Sequence, residues 1–84
     1  MKTNKKTIGV DAVNKALEIL NCFTEKNESL TVTKIANITG EHKSRISRIS
    51  KSLENFGYIR KIKSGEFKIG HTIPRLFEIY ESSF

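Results

Sequence analysis

Two stretches of helical apolar spacing meet at one glycine, and that junction constrains the fold more than any other feature of the chain. Before Gly40, Val32, Ile35 and Ala36 recur with helical periodicity, and Thr31 stands where a helix needs a capping hydroxyl. Lys34 occupies the position where a capping box would place a glutamate, so this short helix is expected to depend on tertiary packing. After Gly40, Ile46, Ile49, Leu53 and Phe56 follow at steps of three, four and three. At roughly 100° per residue they fall within about 80° of one another, which predicts a helix with a single apolar face. About three residues join the two helices, with Gly40 as the stop of the first. A helix, a short turn containing glycine and a second helix make a helix-turn-helix.

The far side of the second helix carries Ser44, Ser47, Arg48, Lys51 and Asn55, with Arg45 and Ser52 on a flank. Serine weakens a helix interior, so its use there points to what it leaves room for. Small hydroxyls let the backbone approach a partner while long cations still reach it. Charge along the chain points the same way. Residues 42–63 hold Lys43, Arg45, Arg48, Lys51, Arg60, Lys61 and Lys63 against Glu54 alone, and this local excess of +6 equals the net charge of the whole chain. The remainder balances eight cations with eight anions. One-sided charge beside a neutral remainder is the footprint of a surface that meets a polyanion, and the major groove of duplex DNA admits a helix of this kind.

Upstream, the first ten residues, "MKTNKKTIGV", hold three lysines and little apolar matter, and read as a flexible basic arm. Asp11 is placed to cap a first helix in which Val13, Ala16, Leu17, Leu20 and Phe23 face the core, ending near "EKNES". Leu30 reads as the stub of a short strand. Downstream, Gly57 stops the serine-rich helix. Tyr58, Ile59 and Ile62 then start a strand that pairs with Phe67 and Ile69 across the glycine-bearing turn "KSGE". A two-stranded hairpin is marginal alone and must lie on the helices. There it forms a wing that presents Lys61, Lys63 and Lys68 to phosphates or the minor groove. Past Gly70, Pro74 opens a last helix whose Ile73, Leu76, Phe77, Tyr80 and Phe84 make a wide apolar stripe, part of it covering the first helix. The expected fold is α+β, a small winged helix-turn-helix. Residues 1–10 form the arm, 11–71 the three-helix core with its hairpin wing, and 72–84 a C-terminal linker or dimerisation helix.

Eighty-four residues make one domain with a modest core and little material to frame a cleft, so neither an enzyme nor any catalytic residue is expected. Cys22, the only cysteine, cannot form an internal disulfide; it falls off the main apolar stripe and reads as a half-buried small residue. His42 and His71 lie far apart, and no cluster has metal-ligand spacing. No metal, no cofactor and no small-molecule ligand within this chain is therefore expected. His42 reads as a first-turn polar residue, and His71 as one that caps or packs beneath the last helix. No apolar run approaches the roughly 18 residues of a membrane span and no secretory signal opens the chain, so a soluble, cytoplasmic protein without membrane contact is expected.

Taken in order, these segments resemble the IclR-type bacterial and archaeal transcription regulators. The likeness covers roughly residues 11–80. It rests on "AVNKALEIL" in the first helix, "SLTVTKIANITG" entering the helix-turn-helix, "KSRISRISKSLENFGYI" through the recognition helix, and "FKIG" followed by "PRL" after the wing. The resemblance implies a DNA-binding winged helix-turn-helix that normally precedes a larger effector-sensing domain, and a chain of this length is expected to carry the DNA-binding part alone. The pattern departs at the turn, where family members commonly have an apolar residue and proline and this chain has Glu41 and His42. The turn is expected to be more polar for it, with Glu41 close to where phosphate would lie.

The residues expected to meet duplex DNA are Lys43, Ser44, Arg45, Ser47, Arg48, Lys51, Arg60, Lys61 and Lys63. Arg45 and Arg48, near the start of the groove-facing helix, are expected at base edges. Lys43 and Lys51, flexible point charges without a planar fork, are expected at phosphates. The rival reading is a winged helix used as a protein-interaction module, its basic face binding an acidic partner. One recognition helix reads only a few base pairs, so a two-fold homodimer is expected, with the first and last helices as its contact.

Overall fold

The computed structural model describes residues 8–84. Its elements follow in the order α1 (Asp11–Asn21), α2 (Val32–Thr39), α3 (Lys43–Asn55), β1 (Ile59–Lys61), β2 (Phe67–Ile69) and α4 (Thr72–Ser82). Lys2, Lys5 and Lys6 of the expected basic arm lie outside the described residues.

Local chemistry sets most of the boundaries. The Thr31 hydroxyl accepts from the Lys34 N–H at 3.0 Å and starts α2. Gly40 ends it in the left-handed region, φ 74°, which costs a residue without Cβ little. Gly57, φ 79°, does the same after α3, and the Tyr58 N–H returns to the Leu53 carbonyl at 2.9 Å. At α1 the cap differs from expectation: Val10 holds the cap position in extended conformation, and Asp11 is the first helical residue. The Asn14 side chain donates to the Ile8 carbonyl at 2.8 Å, so the lead-in folds back on the helix it precedes. α4 begins at Thr72, two residues before Pro74. The proline falls within the first turn, where its missing N–H has no intrahelical partner to lose.

Ile19, Ile35, Ile46, Ile59, Leu30 and Phe67 form the centre of the core, joined by Cys22, Ala36 and Leu53. The inner side of α1 is Ile19 with half-buried Ala16 and Leu20, and half-buried Phe23 follows just beyond the helix; Val13 and Leu17, expected inside, are 54% and 53% exposed. Apolar residues cover a wider arc of α1 than its neighbours can bury. Cys22 is buried rather than half-buried, because it follows Ile19 by one helical step, and its thiol donates to the Glu18 carbonyl at 3.4 Å. On α3 the inward residues are Ile46, Ser50 and Leu53, with Ile49 half-buried. Phe56, expected on that stripe, is 76% exposed. It is the C-cap, φ −97° and ψ 6°, so the chain has already left the helix where the period would turn it inward.

β1 and β2 pair antiparallel with Ile59 opposite Ile69, Arg60 opposite Lys68 and Lys61 opposite Phe67. Ile62 falls in the connecting turn, where its N–H reaches the Glu66 carbonyl at 2.9 Å. The strand stub at Leu30 is present: Leu30 donates to the Phe67 carbonyl at 2.9 Å and Phe67 to the Leu30 carbonyl at 2.7 Å. α4 is held at its base and does not pack extensively on α1 or any other element. Its Leu76, Phe77, Ile79 and Tyr80 are 39–58% exposed. Tyr80 meets Phe84 edge-on at 4.8 Å between ring centroids.

Candidate nucleic-acid interface

Burial of Ile46, Ser50 and Leu53 turns Ser44, Ser47, Arg48 and Lys51 of α3 outward, and all four are exposed. Among the described residues no ion pair or side-chain hydrogen bond engages them. Lys43, the first residue of the helix, is likewise exposed. His42 holds the cap position without a side-chain capping bond; its N–H is taken instead by Glu41 Oε1 at 3.1 Å.

Arg45 is placed differently from its neighbours. One terminal nitrogen lies 2.8 Å from Asp11 Oδ2 at the start of α1, and the other 3.1 Å from Glu41 Oε2 in the turn. The same Glu41 oxygen is 3.8 Å from Lys15 Nζ, which in turn pairs with Glu18 at 2.9 Å. The Lys15 and Glu41 side chains are largely shielded, at 15% and 17% exposure. The His42 backbone N–H, then the charges of Arg45 and Lys15, hold the Glu41 carboxyl below the usual carboxylate range. The hydrogen bond to Asp11, with the charges of both carboxylates, raises the Arg45 guanidinium further, so it stays protonated. Glu41 is therefore an ionised carboxylate paired with Arg45 and Lys15 rather than a bare anion. In the core nearby, burial and then the Glu18 charge push the Cys22 thiol up.

The hairpin divides its cations in a similar way. Arg60 Nε donates to the Ile69 carbonyl across the sheet at 3.2 Å. Lys61 Nζ lies over the face of the Phe67 ring, 5.3 Å from its centroid. Lys68, read as a wing cation, is 3.8 Å from Glu28. Lys63 stands exposed at the tip with Ser64 and Gly65, and no ion pair among the described residues engages it. His71 does not cap: it is exposed, in right-handed helical conformation and without a side-chain capping bond, its imidazole lying beside Gly57, and Thr72 faces inward instead. Among the described residues no group of three or more His, Cys, Asp or Glu could hold a metal ion, and no helix is long and apolar enough to cross a membrane.

Two features of α3 and its surroundings have weak sequence signals. Asp11 and Arg45 are 34 residues apart, and no spacing rule links them. Ser50 does sit in phase with Ile46 and Leu53, so helical phase alone could have placed it inside, against its polarity.

The sequence of residues 12–63, from α1 to the hairpin turn, matches the IclR helix-turn-helix domain. The HTH-type transcriptional regulator KipR of Bacillus subtilis is 34% identical over 58 residues, 69% of this chain and 23% of that protein. XynR of Escherichia coli, also an HTH-type transcriptional regulator, is 32% identical over 62 residues, 73% of this chain and 25% of that protein. This chain thus spans about a quarter of the length of either relative. An IclR family transcriptional regulator from Brucella abortus, of known crystal structure, is 34% identical and superposes with a TM-score of 0.78, covering 86% of this chain and 28% of that one. The domain match takes in both helices of the helix-turn-helix and the first strand of the hairpin, and the superposition carries the same arrangement in space: the chain belongs to the IclR helix-turn-helix family.

Proposed function

We propose that the chain binds duplex DNA with sequence preference and serves as the DNA-binding part of a cytoplasmic transcription regulator, performing no catalysis of its own. The observation that carries this reading is the outer face of α3, where Ser44, Ser47, Arg48 and Lys51 lie exposed without an acidic side chain among them. Hydroxyls close to the backbone let such a helix enter the major groove, and a planar arginine fork takes both acceptors of a guanine. Lys43 at the helix start and Arg60, Lys61 and Lys63 on the hairpin are assigned to phosphates, contacts that position the protein without reading sequence. The transcriptional regulators KipR and XynR support the reading by kinship.

One recognition helix reads few base pairs, and regulators built on this motif reach specificity as two-fold dimers on half-sites one helical turn or a multiple apart. Val13 and Leu17 of α1 and Phe77 and Tyr80 of α4 are left exposed, and we assign them to contact with a second copy. Selecting sites from a random duplex pool, then measuring the winner against a scrambled duplex at two salt concentrations, tests the function. Both affinities should fall as salt rises while the preference for the winner persists. Equal affinity for the two duplexes would remove base reading and favour a module whose basic face binds an acidic protein; no binding to any duplex would overturn the reading altogether.

A further inference from the structure

Arg45 was expected at base edges, yet both of its terminal nitrogens are committed to carboxylates from two other segments. Asp11 lies at 2.8 Å on α1 and Glu41 at 3.1 Å in the turn. Glu41 divides its oxygens: Oε1 accepts from the His42 N–H at 3.1 Å, and Oε2 meets Arg45 with Lys15 at 3.8 Å. The cluster therefore joins the first half of α1, the turn and the first turn of α3. Apolar packing is thin there, because no apolar side chain in the first half of α1 is buried and its Val13 is 54% exposed. Bringing the guanidinium to DNA would break both ion pairs.

From this geometry we infer that Arg45 and Glu41 are positioning residues, which set the angle of α3 against α1, and that Arg48 is the one arginine of α3 offered to the groove. The inference rests on the reading of α3 as the groove-facing helix. It opposes the simple electrostatic expectation in sign. If Glu41 were only an anion near phosphates, removing its charge would tighten DNA binding. As a brace, it should weaken binding when it is neutralised.

Glu41→Gln and Arg45→Gln, each titrated with the selected duplex across a salt series, test it. Each should weaken binding about two- to fivefold, the range for loss of a partly exposed ion pair, with the salt slope and base preference of the parent protein retained. The double variant should lose less than the sum of the two single losses, since the two residues share one contact. Tighter binding by Glu41→Gln overturns the proposal. So does a salt slope lowered by about 0.9 in Arg45→Gln, which would mark a lost phosphate contact, or relaxed preference at one base pair. A parent protein that binds no duplex overturns the DNA reading but not the brace, which amide hydrogen exchange of the free protein reports independently. Exchange at residues 46–48 should quicken in both single variants while that of the Leu30–Phe67 pair stays as it was; unchanged exchange at 46–48 would refute the brace.

Discussion

The hydroxyl of Thr72 donates to the carbonyl of Phe56 at 2.7 Å, fastening the first turn of α4 to the residue that caps α3. The Thr72 N–H adds a second bond, to the Gly57 carbonyl at 3.0 Å. Helix ends leave carbonyls without intrahelical partners, and here the next helix supplies them. Thr72→Val keeps the shape of this buried side chain and removes only the donor. Stability should fall by about 1–3 kcal/mol, read as a lower urea midpoint at unchanged slope.

Ser50 is fully buried, and its Oγ has no hydrogen-bond partner. Such a hydroxyl has lost its hydration without return, and alanine is the better helix former. Ser50→Ala should therefore be neutral or stabilising, by up to about 1 kcal/mol, in the same urea experiment. A loss larger than that would reveal a partner for the hydroxyl.

The Glu41 carboxyl is held below its ordinary value by the His42 N–H, Arg45 and Lys15, so its ionised form stabilises the fold. That stabilisation is fully present above the unfolded-state value of about 4.3 and is lost as pH falls through the lower folded-state value. Melting temperature should be level from neutrality down to about pH 5 and decline below about pH 4, with Glu41→Gln showing the shallower acid decline. Equal acid limbs for the two proteins would place the responsible carboxylates elsewhere.

Within α3, Arg48 and Lys51 share the exposed face and should fail differently. Arg48→Ala is expected to cost about 1–3 kcal/mol on the selected duplex and to relax preference at one base position. Lys51→Ala should weaken every duplex alike and lower the salt slope by about 0.9. Binding isotherms on specific and random duplexes separate the two patterns.

Phe77, 56% exposed, lies on the apolar side of α4 with Tyr80. If that side meets a second copy, sedimentation of the parent protein will show concentration-dependent dimer, and Phe77→Glu will sediment as a folded monomer. A parent protein that stays monomeric at high concentration and binds a palindromic duplex without cooperativity would exclude the contact.

Signals carried by local chemistry were legible in the sequence. The Thr31 cap, the stops at Gly40 and Gly57, and the strand stub at Leu30 each follow from what one side chain, or its lack, does to the nearby backbone. The outward set of Ser44, Ser47, Arg48 and Lys51 was legible too, since helical phase fixes it once Ile46 and Leu53 are inside. Periodicity misled where it outlasted the helix, at Phe56, and where an apolar arc exceeded its cover, at Val13 and Leu17. The engagement of Arg45 was not legible, because the partner that decides it stands 34 residues away and only the packing of α1 on α3 brings the two together.

Leu30 and Phe67 each donate to the other's carbonyl, and Leu30 immediately precedes the residue that caps α2. The hairpin consequently cannot slide without dragging the start of α2, and through the turn, α3. On the proposed function, the hairpin tip and the outer face of α3 behave like the jaws of a locked caliper. A duplex whose grooves do not match that span must twist or bend to seat both jaws, and the work of deforming it differs from one base step to the next. Discrimination would then extend to base pairs that no side chain reaches.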